Sequence, residues 1–254
     1  MNYRKLSILF AAITAGACLL SSCAEDLPLN IDPNIDVSAS DGTEEGDEEY
    51  IDSFIFFGES TTYHMKSRGV LSGKQNTTQV WGTKSGTFNL DTAVTSATII
   101  YPETGEEMSI SQAVKRKKPR RIMLSFGLNG AVHKIKKGKD YFKSCYRSLL
   151  DIIREASPST EIFIQSAFPV AQSMDMSNYS VDSSTLNKYI RTINTWSEEL
   201  AAEYGAVYLD TASVLKDESG ALLPQYHVGD GHHLTAEAYI NILEYIKSHK
   251  KQEE

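Results

Sequence analysis

Ser60 and the cluster Asp230-Gly231-His232-His233 hold the residue types most suited to chemistry in this chain. A serine hydroxyl is a weak nucleophile at neutral pH. It needs a base to take its proton and donors to hold the oxyanion that forms. His233 is the candidate base. Asp230 lies three residues earlier, about one helical turn, so its carboxylate can sit beside the imidazole and fix its tautomer. Asn129 offers a side-chain N–H donor, and the amide of Ser60, near a helix start, offers another. A backbone N–H from Gly86 or from Gly82 is a further candidate. The grouping works only if the fold brings the two ends of the chain together.

Each residue also has a plain structural reading. Ser60 after a strand serves as a helix N-cap. Asp230 before Gly231, and Asn129 before Gly130, serve as turn residues. His227, Asp230, His232 and His233 are a dense set of possible metal ligands. They lack a conventional zinc spacing, and a metal leaves Ser60 and Asn129 unexplained, so no metal and no cofactor is expected. His232 reads as pocket wall or surface, its side chain directed away from His233. His64, one turn beyond Ser60, reads equally as pocket lining or packed surface.

The elements that must position these groups alternate between strand and helix. The predicted strands are 53–57, 78–81, 122–126, 161–165 and 206–209. Helical spacing appears at Phe142, Cys145, Tyr146, Leu149 and Ile153, again from Leu186 to Leu200, and at Ile240, Leu243 and Ile246. Ser157-Pro158 and Tyr204-Gly205 stop the first two of these helices. Residues 97–102 and 108–110 read as an inserted hairpin. The basic run 115–121 reads as a solvated helix end. Cys145 reads as a buried core thiol.

Such alternation implies a mostly parallel sheet with helices on both faces. Sites in such sheets lie beyond the carboxyl ends of the strands, at a topological switch point. In the flavodoxin-like order 2-1-3-4-5 that point falls between the first and third strands. Ser60 follows the first and Asn129 the third.

The ends and the composition bound the rest. Arg4 and Lys5 followed by the apolar stretch 6–20 are expected to form a secretory signal, residues 1–22. Leu20-Ser21-Ser22-Cys23 resembles a bacterial lipobox. That implies a lipid on Cys23 and an exported protein anchored to the cell envelope, at the periplasmic face or the cell surface. Residues 23–50 are expected to be an acidic, solvated tether. The chain has 33 acidic and 25 basic residues; ten of the acids lie in the tether, and Arg4 and Lys5 in the signal, which leaves 23 of each in residues 51–254. The domain is formally neutral, and nothing points to nucleic acid.

Gly58-Glu59-Ser60, a glycine after the second strand, Gly127-Leu128-Asn129 and Asp230-Gly231-His232-His233-Leu234 resemble the blocks of the SGNH hydrolases, also called GDSL-type esterases and lipases. The resemblance spans most of 51–248, in order. It implies a three-layer α/β/α sandwich with a five-stranded sheet and a metal-free Ser-His-Asp mechanism of acyl ester hydrolysis. Ser60 would be the nucleophile, His233 the base and Asp230 its partner. Gly86 and Asn129 would complete the oxyanion hole, with Gly86 favoured over Gly82. Two positions depart from the pattern. Glu59 replaces an aspartate outside the triad, which puts little in doubt. Gly130 replaces an aspartate after Asn129, which is expected to loosen the asparagine loop. The expected substrate is a short acyl ester, such as an acetyl group on a glycan. The alternatives are a glycan-binding lipoprotein without activity, and an acyltransferase using the same acyl-enzyme.

Overall fold

The computed structural model describes residues 46–90 and 96–250. Cys23, the signal 1–22 and residues 23–45 of the tether lie outside the described residues. In chain order the main elements are α1 (Asp47–Asp52), β1 (Phe54–Gly58), α2 (Ser60–Arg68), β2 (Val80–Trp81), β3 (Thr98–Ile100), β4 (Glu107–Ser109) and α3 (Ile110–Lys117). There follow β5 (Arg121–Ser125), α4 (Ala131–Lys137), α5 (Lys139–Ala156), β6 (Glu161–Gln165), α6 (Ser183–Tyr204), β7 (Val207–Leu209) and α7 (Ala236–Ser248).

The central sheet runs β2-β1-β5-β6-β7, and every neighbouring pair is parallel. This is the 2-1-3-4-5 order, with its reversal between β1 and β5. Successive side chains of a strand point to opposite faces. Ile55, Phe57, Ile122, Leu124, Ile162 and Ile164 accordingly pack on one face with α3, α5 and α6. Phe54, Phe56, Met123 and Phe163 pack on the other with α1, α2 and α7. Two cores on one sheet make the three-layer sandwich. Each fully buried phenylalanine contributes about 1.5–3 kcal/mol.

β3 and β4 form the expected hairpin, antiparallel and outside the main sheet. The Ile100 N–H donates to Gly82 O at 3.0 Å, tying the hairpin to the end of β2.

Four expectations change. The boundary at 50/51 falls inside α1, where Tyr50 and Ile51 are buried in the core. Glu48 and Asp47 there reach Lys247 at 2.9 Å and Lys250 at 2.6 Å. Arg121 is not solvated. It is buried in β5, bonded to Glu161 at 3.0 Å and Ser53 Oγ at 2.7 Å, and stacked 4.3 Å over Tyr50. Ile240 is 51% exposed, because α7 buries the face of Ala238, Tyr239, Ile242, Leu243 and Ile246. Cys145 packs at the rim of the core, half-buried rather than buried.

Candidate active site

Only Glu59 separates the end of β1 from the start of α2. Gly58 permits that tight passage. A Cβ there would lie 2.3 Å from Thr62 Oγ1 and 2.4 Å from Ser125 O. Glu59 is extended, and α2 begins at Ser60. The Ser60 N–H therefore belongs to the first helical turn, where no upstream carbonyl within the helix can accept it. The helix start also carries partial positive charge.

Ser60 Oγ lies 3.2 Å from His233 Nε2, across 173 residues of sequence. The opposite nitrogen, Nδ1, lies 2.7 Å from Asp230 Oδ2. Asp230 Oδ1 accepts the backbone N–H groups of His232 and His233 at 3.0 and 2.9 Å. Partial burial opposes ionisation of Asp230, but these two amides and the His233 ring outweigh it and hold the carboxyl well below the usual carboxylate range. The two ends of the chain are tied elsewhere as well. Arg68 Nε of α2 donates to Leu234 O at 3.1 Å, and the Tyr239 hydroxyl of α7 donates to Thr61 O.

The loop after β5 is held by Glu59. Its carboxylate is buried and accepts three backbone N–H groups: Gly127 at 2.9 Å, Leu128 at 3.1 Å and Asn129 at 3.0 Å. Burial pushes the Glu59 carboxyl up, while the Lys134 charge and these three donors work against the rise. Lys134 is itself buried and donates from Nζ to Asn129 O. Asn129 Nδ2 donates to Thr87 Oγ1 at 3.0 Å, which leaves its second N–H for a ligand. Sequence reasoning missed Lys134 and Thr87, and it noted Glu59 only as a departure that puts little in doubt. One signal was readable: a charge directly after a wholly apolar strand has little water to face. The loop is not loosened at Gly130, because Glu59 and Lys134 grip it.

Gly86 calls for a correction. It stands at the edge of the site, but its N–H donates to Thr83 O at 2.9 Å and closes a turn, so it presents no free donor. Gly82 and Gly86 both lie against the Tyr63 ring of α2; a Cβ would come within 2.6 and 3.0 Å of it respectively.

The model of the GDSL-like Lipase/Acylhydrolase family matches residues 56–239. This chain belongs to that family. It is a carboxylic ester hydrolase with the SGNH hydrolase fold. No curated protein matches it in sequence. Among solved structures it is similar to a protein assigned as a platelet activating factor from Streptococcus pneumonia. That match has 16% identity, covers 77% of this chain and 82% of the other, and has a TM-score of 0.50. It is also similar to a GDSL-like lipase from Bacteroides thetaiotaomicron, at 16% identity, 77% and 85% coverage and a TM-score of 0.48. A carbohydrate esterase family 3 protein from Talaromyces cellulolyticus matches at 14% identity, 77% and 94% coverage and a TM-score of 0.49.

Around the acylhydrolase's His233 stand two more imidazoles. His64 packs on one side, ring centroids 4.4 Å apart, and His232 on another, at 3.9 Å. His64 is thus part of the site. His232 is not directed away from His233 as expected, because the turn that bonds both amides to Asp230 brings the two rings together. Burial first, then the His233 ring, lowers the pKa of both His64 and His232. The Nδ1 of His64 is buried without a hydrogen-bond partner, which also suits a neutral ring. His227 Nδ1 accepts the N–H groups of Gly229 and Gly231 at 3.0 and 3.1 Å, so it shapes the turn. Asp230, His232 and His233 each bring a donor atom within 4.8 Å of the others. Yet Asp230 Oδ2 and His233 Nδ1 face each other in a hydrogen bond, an arrangement suited to orienting a base.

Proposed function

We propose that this acylhydrolase is a serine esterase in which Ser60, His233 and Asp230 act as nucleophile, base and base-orienting carboxylate, and that its substrate is a short acyl ester. One observation carries the reading: the chain of contacts Ser60 Oγ–His233 Nε2 at 3.2 Å and His233 Nδ1–Asp230 Oδ2 at 2.7 Å. With Asp230 ionised, Nδ1 carries the proton and donates to it. Nε2 then offers its lone pair to the serine hydroxyl.

In the first step Ser60 Oγ attacks the ester carbonyl as His233 takes its proton. The oxyanion rests on the Ser60 N–H and on Asn129 Nδ2. The tetrahedral intermediate collapses, His233 protonates the leaving alcohol, and an acyl-Ser60 remains. Water then attacks the acyl group with His233 again as base, and the acid leaves. The same acyl-enzyme would serve transfer to a sugar hydroxyl. Ser60→Ala tests the reading with p-nitrophenyl acetate. Turnover lost in a variant that melts normally supports it. Equal turnover in both proteins removes Ser60 from the mechanism and favours a binding role for the cleft.

The enzyme is proposed to be exported and anchored through a lipid on Cys23. Cys23→Ala should move the protein from the membrane fraction to the soluble one; an unchanged distribution would refute the anchor.

A further inference from the structure

Residues 166–182, between β6 and α6, form a 17-residue segment without helix or strand. Segments of more than about 12–15 residues of this kind are either functional or loose. This one is bolted down. The Asn194 side chain bonds both the N–H and the C=O of Ala167, at 2.8 and 3.0 Å. Asn187 does the same to Val170, at 2.8 Å each. The Ala171 N–H donates to Gly231 O at 2.8 Å. Gly231 sits so close that a Cβ there would lie 2.6 Å from Met174 Cβ and 2.7 Å from Met174 Cα. The segment is therefore fastened to the same turn that carries Asp230 and His233.

What this anchored segment displays is an exposed ring. Tyr179 is 39% exposed, whereas residues 166–171 at the start of the segment are buried. Two depressions share Asn178 and Tyr179. One, about 390 Å³, runs past Lys136 and Ser180 to Asn129. The other, about 590 Å³, runs past Asp175 to Asp230 and His232. Both fall within the roughly 300–1,000 Å³ typical of ligand sites. Each ends at a residue of the proposed catalytic machinery.

The chemistry of this lining selects a ligand class. The lining is mixed. Leu128, Val132 and Leu186 stand in the first depression beside Asn129, Lys136 and Ser180. Met174 stands in the second beside Asp175, with the Tyr179 ring between. That suits a molecule with apolar faces and a polar rim. A sugar ring has that shape: C–H groups on its faces and hydroxyls around its edge. A long acyl chain would cover the apolar residues but leave Asn178, Ser180, Lys136 and Asp175 without partners, at a cost in desolvation. Lys136 and Asp175 set opposite signs on the two sides of Tyr179, in a domain that is formally neutral. That favours an uncharged ligand over a polyanion.

We propose that the Tyr179 cleft is a carbohydrate subsite: Tyr179 stacks on a sugar of a neutral, acylated glycan chain, with neighbouring sugars in the two depressions and the ester presented to Ser60. This rests on the serine-esterase reading above. Tyr179 is then a specificity residue that touches the glycan and not the bond that breaks.

The test compares p-nitrophenyl acetate with O-acetylated cello-oligosaccharides of increasing length, for the wild type, Tyr179→Ala and Tyr179→Phe. The wild-type KM should fall as the oligosaccharide lengthens. Tyr179→Ala should raise KM for the longer oligosaccharides by about five- to tenfold and leave kcat/KM for p-nitrophenyl acetate unchanged. Tyr179→Phe should behave as wild type. Equal losses on both substrates would make Tyr179 a support for the loop and overturn the proposal. So would a KM rise confined to long-chain p-nitrophenyl esters, which would make the ring an acyl contact. Failure of the esterase reading shows separately, as an inert wild type on every ester. In that case, calorimetry of unacetylated cello-oligosaccharides with Ser60→Ala decides: binding lost on adding Tyr179→Ala supports the subsite, and no binding overturns it.

Discussion

Two loops deliver groups to Ser60, and they are held by opposite means. The Asn129 loop hangs on a carboxylate from elsewhere in the chain. Glu59, 68 to 70 residues away, accepts its three N–H groups out of contact with water, with Lys134 buried alongside. The His233 turn holds itself. Asp230, its side chain 37% exposed, accepts two amides from within its own turn and the ring it orients. The first arrangement couples catalytic geometry to the stability of the fold. The second leaves it nearly independent, since exposed charge pairs contribute little.

Substitution at Asp230 should show the independence most strongly. Asp230→Asn keeps an oxygen for the two amides but can turn its NH₂ toward Nδ1. That selects the wrong His233 tautomer, and kcat should fall by on the order of 10⁴. Thermal stability should fall by only about 1–2 kcal/mol, since the two amides keep an oxygen acceptor and the group is partly exposed. A large melting loss would show that the turn needs its charge to fold, and the contrast would break.

Glu59→Gln should do the reverse. It removes the charge beside Lys134 and leaves one acceptor oxygen for three N–H groups. The amide's own NH₂ also faces those donors, and each buried N–H left without an acceptor costs about 1–3 kcal/mol, read as a lowered denaturant midpoint. Activity should fall with the loop's displacement. A stable, fully active Glu59→Gln would show that backbone packing alone holds Asn129. Asn129→Ala then isolates the group the loop presents. It should cost about 10²–10³ in kcat with an unchanged denaturant midpoint. A loss under threefold would remove Asn129 from the oxyanion hole.

The contrast also explains what was legible in the chain. β1, β5, β6 and β7 read within one residue, because each is built on three or four consecutive apolar residues. β2 read as four residues but is two, Val80 and Trp81; Gln79 before it still accepts the Phe56 N–H at 2.7 Å, while its side chain turns inward to bond Ile51 O and Phe54 O. Ile240 was misread because steps of three residues drift by about 60° around a helix. Two such steps carry Ile246 to the core and leave Ile240 in solvent. Asp230 and His233 were readable because the turn is local. The hold of Glu59 was not, because its partners are backbone amides, which leave no trace in residue types. Arg121 hid for a related reason: six basic residues in seven read as surface, and only the partners Glu161, Ser53 and Tyr50, distant in sequence, show that one of them is inside.

Acid should separate the two regions by sign. His64 and His232 have pKa values below the ordinary 6.5, through burial and then the His233 ring. As pH falls through about 6.5 the unfolded chain takes up protons that the folded site resists, so stability is lost in that window. Asp230 does not contribute there, because its carboxyl stays ionised to far lower pH. Glu59 acts oppositely. Its pKa is raised above 4.5, so the folded state takes up its proton first, and acidification toward 4.5 favours the fold at that position. The melting temperature of the wild type should thus fall from pH 7 to pH 5 under the control of the histidines. His64→Phe and His232→Gln should each flatten that fall, and Glu59→Gln should steepen it. Parallel curves for all four proteins would mean that protons couple to neither region, and that the difference between a buried and a self-held loop is confined to rate.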